Sequence, residues 1–543
     1  MQNVSIRKPL SAILAALISI VPVVPARADV YHATPKLVVV LVLDQFRGDY
    51  LERYRDDFKT PSGFNLFLKR GAYFTDCYYD YANTETAAGH SSIGTGAYSA
   101  GHGIALNQWW DLSRSTTHAV SSVEDERYDI LGDHGPADVG SSPRNELAST
   151  LGDEVKLATR GQSKVYGISL KDRAAILTSG HASDGAFWLD HDSGHFVSST
   201  YWGPKLPEFV EAFNKSGRTE KAIEEAHAKP GHFYDDVGAN PASVSYLLDF
   251  AQALITAEKL GKHDTTDVLT ISISSTDILG HKVGPDSPEQ RAMIDAADVD
   301  LNAFFTWLDK NVDGGMGNVW VSLTGDHGVG PTIGGAAAAH FPAASFSVAK
   351  TTAALDVALN ARFSPGQNLK YMLSSSPPEM TLNPKTFESV KVSEAVAEAA
   401  VAELLPAAVE STVPPAPTGA VGLPTRAIVR NVYTKLAIQA GQVPPTPEGR
   451  IIANSYSPYG GWYVVMEPGI YEQGQLTGTN HYTAYSYDRH VPLGFFGWPF
   501  AVGTYHQRVA PVDIAVTFAS LLRVNQPTNA VGNVLTFALK PGQ

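Results

Sequence analysis

The stretch KLVVVLVLD, residues 36–44, is an uninterrupted apolar run that ends in a carboxylate. Its length and its valine and leucine content are typical of a strand that is buried on both faces of a parallel sheet. Later segments repeat this pattern, and polar residues follow each of them directly or within a few positions. These segments are residues 164–170, before Lys171, Asp172 and Arg173; residues 268–273, before Asp277; and residues 318–323, before Asp326 and His327. Because sites in open α/β sheets lie beyond the carboxyl ends of the strands, the pattern predicts one site made from these polar residues.

Helical patterns separate the predicted strands, and the clearest runs from Pro288 to Lys310. Ser287 and Gln290 predict a capping box, and Pro288 suits the first helical position. Strands that alternate with helices predict a doubly wound α/β fold. From residue 344 to residue 470 the pattern changes to alanine-rich helical stretches, then prolines that begin at Pro406, then aromatic turns. We interpret residues 344–470 as an insertion or cap, and its proline-rich part as a semi-rigid connector.

The amino terminus has the layout of a secretory signal, residues 1–28. Basic Arg7 and Lys8 precede an apolar run, and Ala26-Arg27-Ala28 matches a cleavage signal. A membrane anchor is the alternative, but the run is shorter than the roughly 20 apolar residues of a membrane span. We expect a catalytic domain over residues 29–543, periplasmic or secreted, with no stable membrane association. Cys77 is the chain's single cysteine, so no intrachain disulfide can form, and we expect it to be a small buried hydrophobe.

The charge balance restricts the partners. The formal net charge is −14, and loss of the basic residues of the signal would make it about −17. Such a balance argues against nucleic acid or an anionic membrane as the main partner. A phosphate substrate would have to be attracted locally, by metal ions and a few basic side chains.

Three aspartates and three histidines could form a metal centre. Singly, each has an ordinary explanation, since aspartate often caps a helix and a lone histidine is often exposed. Together they supply the mixed oxygen and nitrogen ligands that suit zinc, although cobalt or manganese could occupy similar sites. Two zinc ions could each take three protein ligands and keep one open position for catalysis. The six residues are Asp44, Asp277, His281, Asp326, His327 and His481.

Thr86 is the candidate nucleophile, within NTETAAGHSS, residues 83–92. Small residues after Thr86 let the backbone approach a ligand, and a helix that starts there would point its N–H groups at a phosphate. A neighbouring metal would lower the pKa of the hydroxyl and make it nucleophilic. The alternative interpretation of Thr86 alone is an ordinary helix N-cap.

Taken in order, these residues resemble the motifs of the alkaline phosphatase superfamily, and in particular the monomeric PafA-like bacterial alkaline phosphatases with a threonine nucleophile. The resemblance rests on Asp44, Thr86, Asn107, Lys171-x-Arg173, Asp277-x-x-x-His281, Asp326-His327-Gly and Gly478-Thr-x-His481. It implies a mostly parallel sheet sandwiched by helices, a monomer, and two Zn²⁺ ions. One zinc would be held by Asp277, His281 and His481. The other would be held by Asp44, Asp326 and His327, with Thr86 bound to it as the nucleophile.

The resemblance also implies that Asn107, Lys171 and Arg173 contact the non-bridging phosphate oxygens. Lys171 and Arg173, two apart on a segment we expect to be extended, would point the same way. Superfamily phosphodiesterases and nucleotide pyrophosphatases share this core but usually lack the Lys-x-Arg pair, and sulfatases need a C/S-x-P-x-R motif that the residues after Cys77 do not match. The predicted function is therefore a zinc-dependent alkaline phosphatase that hydrolyses small-molecule phosphate monoesters through a phosphothreonine. The rival functions are a diesterase and a metal- or phosphate-binding protein without turnover.

The chain departs from its relatives beside the last histidine ligand. Many relatives have Gly-Ser-Pro there, whereas this chain has Tyr482-Thr483-Ala484. This change predicts extra bulk near the mouth of the site. His490 fits a family motif that we interpret as structural.

Overall fold

The computed structural model describes residues 34–135, 139–341, 343–414, 428–474 and 477–541. The predicted signal, residues 1–28, lies outside the described residues. Within the described ranges the strands, in chain order, are β1 Leu37–Leu43, β2 Ala72–Tyr78, β3 Gln108–Trp109, β4 Val120–Ser121, β5 Ile130–Leu131, β6 Val165–Ser169, β7 Gly185–Leu189, β8 Phe196–Ser199, β9 Asp267–Ile273, β10 Val319–Gly325, β11 Ala344–Ser345, β12 Met372–Ser374, β13 Glu379–Leu382, β14 Val429–Thr434, β15 Tyr463–Pro468, β16 Glu472–Gln473, β17 His490–Phe496 and β18 Gly503–Tyr505.

The helices of the described ranges are mostly short, and the longest has 24 residues. They are α1 Tyr50–Arg53, α2 Asn65–Leu68, α3 Thr86–Thr95, α4 Ser99–His102, α5 Leu151–Ala158, α6 Asp172–Ser179, α7 Glu208–Asn214, α8 Arg218–Ala226, α9 Ala242–Glu258, α10 Ser275–Val283, α11 Pro288–Asn311, α12 Ile333–Ala338, α13 Val348–Phe363, α14 Pro384–Ser389, α15 Glu394–Glu410, α16 Lys435–Gln439, α17 Pro447–Asn454, α18 Ser486–Arg489 and α19 Asp513–Leu522. None of the helices in this part of the chain is both long and apolar enough to cross a membrane.

The central sheet of the described chain has ten strands in the order β18-β2-β17-β10-β1-β9-β6-β7-β8-β5. Strands β10, β1, β9, β6 and β7 are parallel, and β17 adds an antiparallel neighbour to β10. Leu43, the last residue of β1, pairs with Gly325 on one side and Ile273 on the other. The carboxyl ends of these strands therefore meet at one edge. The predicted α/β class with a mostly parallel sheet between helices is confirmed.

Strand β1 is buried on both faces because its side chains alternate between two hydrophobic clusters. Leu37, Val39, Leu41 and Leu43 pack in a cluster with residues of α9 and α11, whereas Val38, Val40 and Val42 pack on the other face with residues of α5 and α19. Each fully buried side chain of this size stabilises the fold by about 1.5–3 kcal/mol. This double burial fixes the register of β1 and hence the position of the residues that follow it.

Helix α11 confirms the predicted start at Pro288 but not the complete capping box. The Ser287 hydroxyl accepts a hydrogen bond from the Gln290 amide at 3.1 Å. The Gln290 side chain does not return the bond, because its Nε2 donates to the Thr276 carbonyl at 2.9 Å. Gln290 is fully buried there, so it links α11 to α10 instead of capping its own helix.

Residues 344–470 contain a second, four-stranded sheet in the order β12-β13-β15-β14, with antiparallel pairings throughout. Helices α13 and α15 cover it and contribute to a separate hydrophobic cluster. Pro406, expected to begin a proline-rich connector, lies inside α15, which continues to Glu410. Much of the remaining connector, residues 415–427, is outside the described part of the chain.

Candidate active site

Two clusters of possible metal ligands lie beyond the carboxyl ends of the central strands. In what we call the first cluster, Asp44 follows β1, and Asp326 and His327 follow its neighbour β10. One ligand atom from each lies within 4.8 Å of the others, and all three residues are fully buried.

The second cluster combines a helix with a distant loop. Asp277 and His281 lie one turn apart on α10, directly after β9, and His481 comes from the loop before α18. Their ligand atoms also lie within 4.8 Å of one another. The predicted helical turn after the strand, which should bring the aspartate and the histidine onto one face, is present.

The donor atoms of both clusters fit divalent cations. Asp44 Oδ1 and His327 Nε2 are buried and make no hydrogen bond within the described chain. Burial lowers the pKa of His327 to about 3, so the imidazole is in the neutral form that binds metal. His281 and His481 bring their Nε2 atoms to 3.3 Å from each other. Three carboxylates and three imidazoles form the mixed donor set that zinc prefers.

Backbone carbonyls orient the three histidine rings. Nδ1 of His327 lies 3.0 Å from the Gly328 carbonyl, and Nδ1 of His281 lies 2.9 Å from the Thr479 carbonyl. Nδ1 of His481 contacts the Thr84 carbonyl. A protonated Nδ1 leaves Nε2 as the ligand atom, and such outer contacts hold metal-binding histidines in place.

Thr86 is the first residue of helix α3 and is almost completely buried. Its Oγ1 lies 3.3 Å from the Lys171 Nζ. Because Thr86 begins the helix, the positive end of the helix dipole lies beside the hydroxyl. This position suits a group that must hold a phosphoryl anion.

His90, one turn after Thr86, connects α3 to the sheet. Its Nδ1 lies 2.8 Å from the Thr86 carbonyl and 3.3 Å from Asp326 Oδ2, and its Nε2 lies 2.7 Å from the Ser272 hydroxyl. Sequence reasoning quoted this residue without assigning it a role. Its spacing of four from Thr86 was the available signal, because residues four apart share a helix face.

Lys171 links the two clusters. Its Nζ lies 2.6 Å from Asp44 Oδ2 and 2.5 Å from Asp277 Oδ2. Burial alone would lower the pKa of Lys171, but the two carboxylates raise it above its usual value, so the side chain is a buried cation. This cation offsets part of the negative charge that the carboxylates concentrate here.

The expectation that Lys171 and Arg173 share an extended segment is wrong. Lys171 has extended backbone angles, but α6 begins at the next residue, and Arg173 is in its first turn. The Asp172 side chain accepts a bond from the Arg173 amide at 2.7 Å, as expected near the start of a helix. The two basic residues nevertheless line the same cavity.

Asn107 is held beside the start of α3 by two hydrogen bonds. Its side-chain Oδ1 accepts from the Ala87 backbone amide at 2.9 Å, and its backbone amide donates to Glu85 Oε2 at 2.7 Å. With Oδ1 engaged, Nδ2 is the atom that Asn107 can offer to a phosphate oxygen. Sequence reasoning missed Glu85, although it directly precedes Thr86. Burial raises the pKa of Glu85 to about 7.

Gln45 is a second missed residue, and it connects both clusters. Its backbone amide donates to Asp326 Oδ1 at 3.0 Å, and its Nε2 donates to Asp277 Oδ1 at 2.7 Å. The bend that allows both contacts has φ +59° at Gln45. Its position directly after Asp44 was the only sequence signal.

The carboxylates respond differently to this environment. Burial and the nearby charges of Asp277 and Asp326 raise the pKa of Asp44 well above its usual value. Burial would also raise the pKa of Asp277, but His281 and Lys171 lower it well below its usual value. Several carboxylates so close together need nearby positive charge to remain ionised.

A cavity of about 270 Å³, which we call the central cavity, opens beside these groups. The described residues that line it are Glu85, Thr86, Asn107, Lys171, Arg173, Asp277, His281, Ser376, Pro377, Asn480, His481 and Tyr482. Ser376 and Pro377 belong to the 344–470 segment, which therefore supplies part of the wall. Sequence reasoning named no residue of this segment as part of the site.

His490 and Cys77 do not line the central cavity. The His490 ring stacks on Tyr78 with centroids 4.5 Å apart, and its Nε2 lies 3.0 Å from the Thr75 carbonyl. These contacts support the structural interpretation of His490. Cys77 lies fully buried in β2, in agreement with the small buried hydrophobe expected from the sequence.

The chain is similar in sequence to known proteins along most of its length. Residues 38–403 match the family model described as type I phosphodiesterase / nucleotide pyrophosphatase. The chain is 33% identical to alkaline phosphatase PhoV of Synechococcus elongatus over 94% of each chain. It is 31% identical to alkaline phosphatase PafA of Elizabethkingia meningoseptica, over 92% of this chain and 94% of that one.

A likeness in structure accompanies the likeness in sequence. The crystal structure of wild-type PafA superposes with a TM-score of 0.82 at 30% identity, and the match covers 94% of this chain and 99% of that chain. The match extends beyond the central sheet to almost the whole of both chains.

Proposed function

This chain belongs to the type I phosphodiesterase / nucleotide pyrophosphatase family and, within it, to the PafA-like alkaline phosphatases, and we propose that it hydrolyses phosphate monoesters through a phosphothreonine at Thr86. It is a phosphoric monoester hydrolase. The further elements of the proposal are the identity of the nucleophile, two zinc ions as cofactors, and the roles of the basic residues.

The observation that supports the proposal most strongly is the position of Thr86. Its hydroxyl is at the start of a buried helix, borders the central cavity, and lies 3.3 Å from a buried ammonium group. Phosphoryl transfer needs positioning and charge neutralisation more than it needs covalent help from the protein. An ordinary N-cap threonine would gain nothing from a cavity lined by cations and metal ligands.

The reaction follows from these positions in two displacements. Thr86 Oγ1 gives up its proton to solvent and attacks phosphorus, the bond from phosphorus to the ester oxygen breaks, and the leaving alkoxide takes up a proton from solvent. Water then loses a proton and attacks the phosphothreonine, the bond from Oγ1 to phosphorus breaks, Oγ1 regains a proton, and inorganic phosphate is released. Asn107, Lys171 and Arg173 hold the non-bridging oxygens during both displacements.

The metal proposal assigns Asp277, His281 and His481 to one zinc ion, and Asp44, Asp326 and His327 to the other. When bound, the ions supply positive charge and Lewis acidity at the reacting oxygens. Gln45 and the carbonyls behind the histidines keep the ligand atoms in place. Thr86 would contact the ion of the first cluster.

Substrate preference follows from the basic residues. A monoester dianion has one more charged oxygen than a diester, and Asn107, Lys171 and Arg173 can pair with it. A diester would place a second organic group against these polar side chains. The family model includes diesterases, so a diesterase remains the second candidate function.

Replacement of Thr86 tests the nucleophile. Thr86→Ala should abolish nearly all turnover of a phosphate monoester and leave the zinc content unchanged, whereas Thr86→Ser, which keeps a hydroxyl, should retain part of it. Acid quenching of the wild-type enzyme during turnover, followed by peptide mass spectrometry, should find phosphate on Thr86. Full activity of Thr86→Ala would overturn the assignment.

Steady-state kinetics distinguish the rival functions. Zinc-loaded enzyme at alkaline pH should have a higher kcat/KM for a monoester than for the matched diester. The opposite preference would assign the chain to the diesterases and leave the nucleophile assignment intact. A rapid burst of product from stoichiometric enzyme would exclude a phosphate- or metal-binding protein without turnover.

The remaining proposals concern the whole protein. We propose that residues 1–28 direct export to the periplasm or beyond, that residues 29–543 act as a monomeric catalytic domain, and that residues 344–470 form a cap beside the site. The contribution of Ser376 and Pro377 to the cavity wall supports the last of these.

A further inference from the structure

Tyr482 has a backbone conformation that is unusual for a side chain of its size. Its φ is +139°, whereas the other described non-glycine residues with positive φ lie between +52° and +63°. Residues with a Cβ rarely adopt this region, which costs of order 1–3 kcal/mol and persists only when the surroundings enforce it. Such conformations concentrate at functional sites.

Hydrogen bonds hold Tyr482 in this conformation. Its backbone amide donates to Asp488 Oδ2 at 3.2 Å, and its hydroxyl accepts from the Gly474 amide at 2.9 Å. Thr483 fixes the next position, since its amide and hydroxyl also donate to Asp488 Oδ2, at 3.0 and 2.6 Å. The ring is therefore tethered at both ends and cannot swing aside without loss of buried hydrogen bonds.

Tyr482 borders two spaces. It lines the central cavity and also a second space of only about 10 Å³, together with Tyr471, Gln473 and Tyr487. Only 6% of Tyr482 is exposed, so its side chain fills the volume beside these spaces. The rings of Tyr471 and Tyr487 stack with centroids 5.1 Å apart, which makes the second space partly aromatic.

The assignment of Tyr482 to the leaving-group side of the reaction rests on the proposed function. An in-line displacement puts the leaving oxygen opposite the attacking Thr86 hydroxyl. By the proposed ligand assignment, that side belongs to the second cluster, whose His481 directly precedes Tyr482. Asn480 and Tyr482 flank this histidine and both line the central cavity.

We propose that Tyr482 is a specificity-determining residue that limits the leaving group to compact alcohols. The tethered ring occupies the volume at the leaving-group side of the central cavity and so leaves no room there for bulky aryl groups. A residue without the ring would free that volume and admit such groups.

The test compares phenyl phosphate with 1-naphthyl phosphate, two monoesters whose leaving alcohols are close in acidity. Tyr482→Gly removes the ring and suits the positive φ, so it should raise the naphthyl-to-phenyl ratio of kcat/KM by roughly ten-fold. Tyr482→Phe keeps the ring and loses only the hydroxyl, so its ratio should stay within about two-fold of the wild-type ratio.

A binding measurement gives a readout that does not depend on turnover. By calorimetry, Tyr482→Gly should gain affinity for naphthylphosphonate relative to phenylphosphonate, and Tyr482→Phe should not. An unchanged ratio in folded Tyr482→Gly, or an equal change in Tyr482→Phe, would overturn the proposal.

A second variant covers the case in which glycine unfolds the loop. Tyr482→Ala also removes the ring, and failure of both the glycine and the alanine variants to fold would assign Tyr482 to stability and overturn the specificity role. Inactivity of the wild-type enzyme on both esters would instead count against the proposed function, and the phosphonate affinities would still test Tyr482.

Discussion

Lys171 forms ion pairs with Asp44 and Asp277, one carboxylate from each ligand cluster, and also lies 3.3 Å from the Thr86 hydroxyl. An ammonium group is a compact point charge with three rotatable donors, so it can serve a phosphate oxygen as well as a carboxylate. Its 2% exposure means that its charge acts with little screening from solvent. Lys171 therefore holds the two clusters together, and the proposed function also gives it a role in substrate binding.

Lys171→Ala should lower kcat/KM for a phosphate monoester by about 10²–10³, the usual loss when one donor to a developing oxyanion is removed. The loss for the matched diester should be smaller, because a diester presents one charged oxygen fewer. The comparison requires equal zinc content in the variant and the wild type, measured by metal analysis.

Lys205 provides the matched control, since it is an exposed lysine, and Lys205→Ala should leave both rates unchanged. Equal losses for monoester and diester in Lys171→Ala would show that the residue supports the metal ligands without distinguishing the substrates.

At the scale of elements, helix α3 sets the position of Thr86, the proposed nucleophile, through its contact with the end of β10. A Cβ added at Gly89 would lie 2.3 Å from the Asp326 carbonyl oxygen, far inside van der Waals contact with rigid backbone. Glycine at this position lets α3 approach the end of β10, where the proposed ligands Asp326 and His327 follow. The close approach of Thr86 to the first cluster therefore requires a residue without a side chain at position 89.

Gly89→Ala should push α3 away from β10 and destabilise the protein by about 1–3 kcal/mol, as overpacking of a tight interior does. It should also lower kcat/KM by at least about ten-fold, because a displacement near 1 Å at a reacting group can cost about 10². Thermal unfolding and steady-state kinetics on the same preparation measure both effects.

Gly334 is the control for the glycine substitution itself. It lies on the exposed side of α12, and an added Cβ would meet nothing within 4 Å. Gly334→Ala should leave activity intact and be neutral or stabilising by about 0.5–1 kcal/mol. A Gly89→Ala enzyme with wild-type stability and activity would contradict the packing argument.

The central elements could be predicted from sequence because their signals are local. The apolar run of β1, buried on both faces, can form little other than an inner strand. Lys171 and Arg173 show where local signals fail. Helix α6 begins between them, so the two residues do not share an extended segment. No periodicity in so short a segment indicates where a helix begins. Pro406 is a second case in which local sequence is not sufficient. It lies inside α15 because the packing of this helix against its sheet outweighs the cost of a proline in the helix.

At the scale of the whole molecule, the two clusters draw on segments far apart in the chain. The meeting of these Asp and His side chains in two clusters could be predicted, because buried Asp and His at strand ends need charge or metal partners. Their role as metal ligands stays a prediction. The supporting contacts could not, since Gln45 reaches Asp277 and Asp326 across more than 200 positions of sequence. The contribution of Ser376 and Pro377 to the cavity wall could not be predicted either, because these residues reach the cavity from the loop between β12 and β13 of the second sheet.

Metal removal should therefore lower the stability of the entire chain. Without cations, the first cluster holds Asp44 and Asp326 in a fully buried space, with Lys171 as the buried ammonium group that faces Asp44. Ligands that bind only the folded state add about 4 kcal/mol when their free concentration is about 1,000 times Kd. Dialysis against a chelator should lower Tm, and zinc should restore both Tm and activity.

Thr86→Ala separates the effect of zinc on stability from its effect on turnover, since the Tm of this variant should respond to zinc as the wild type does while its turnover stays absent. An unchanged Tm after verified removal of the metal would mean that the buried ligand atoms are stable by themselves, which their lack of hydrogen bonds makes physically costly.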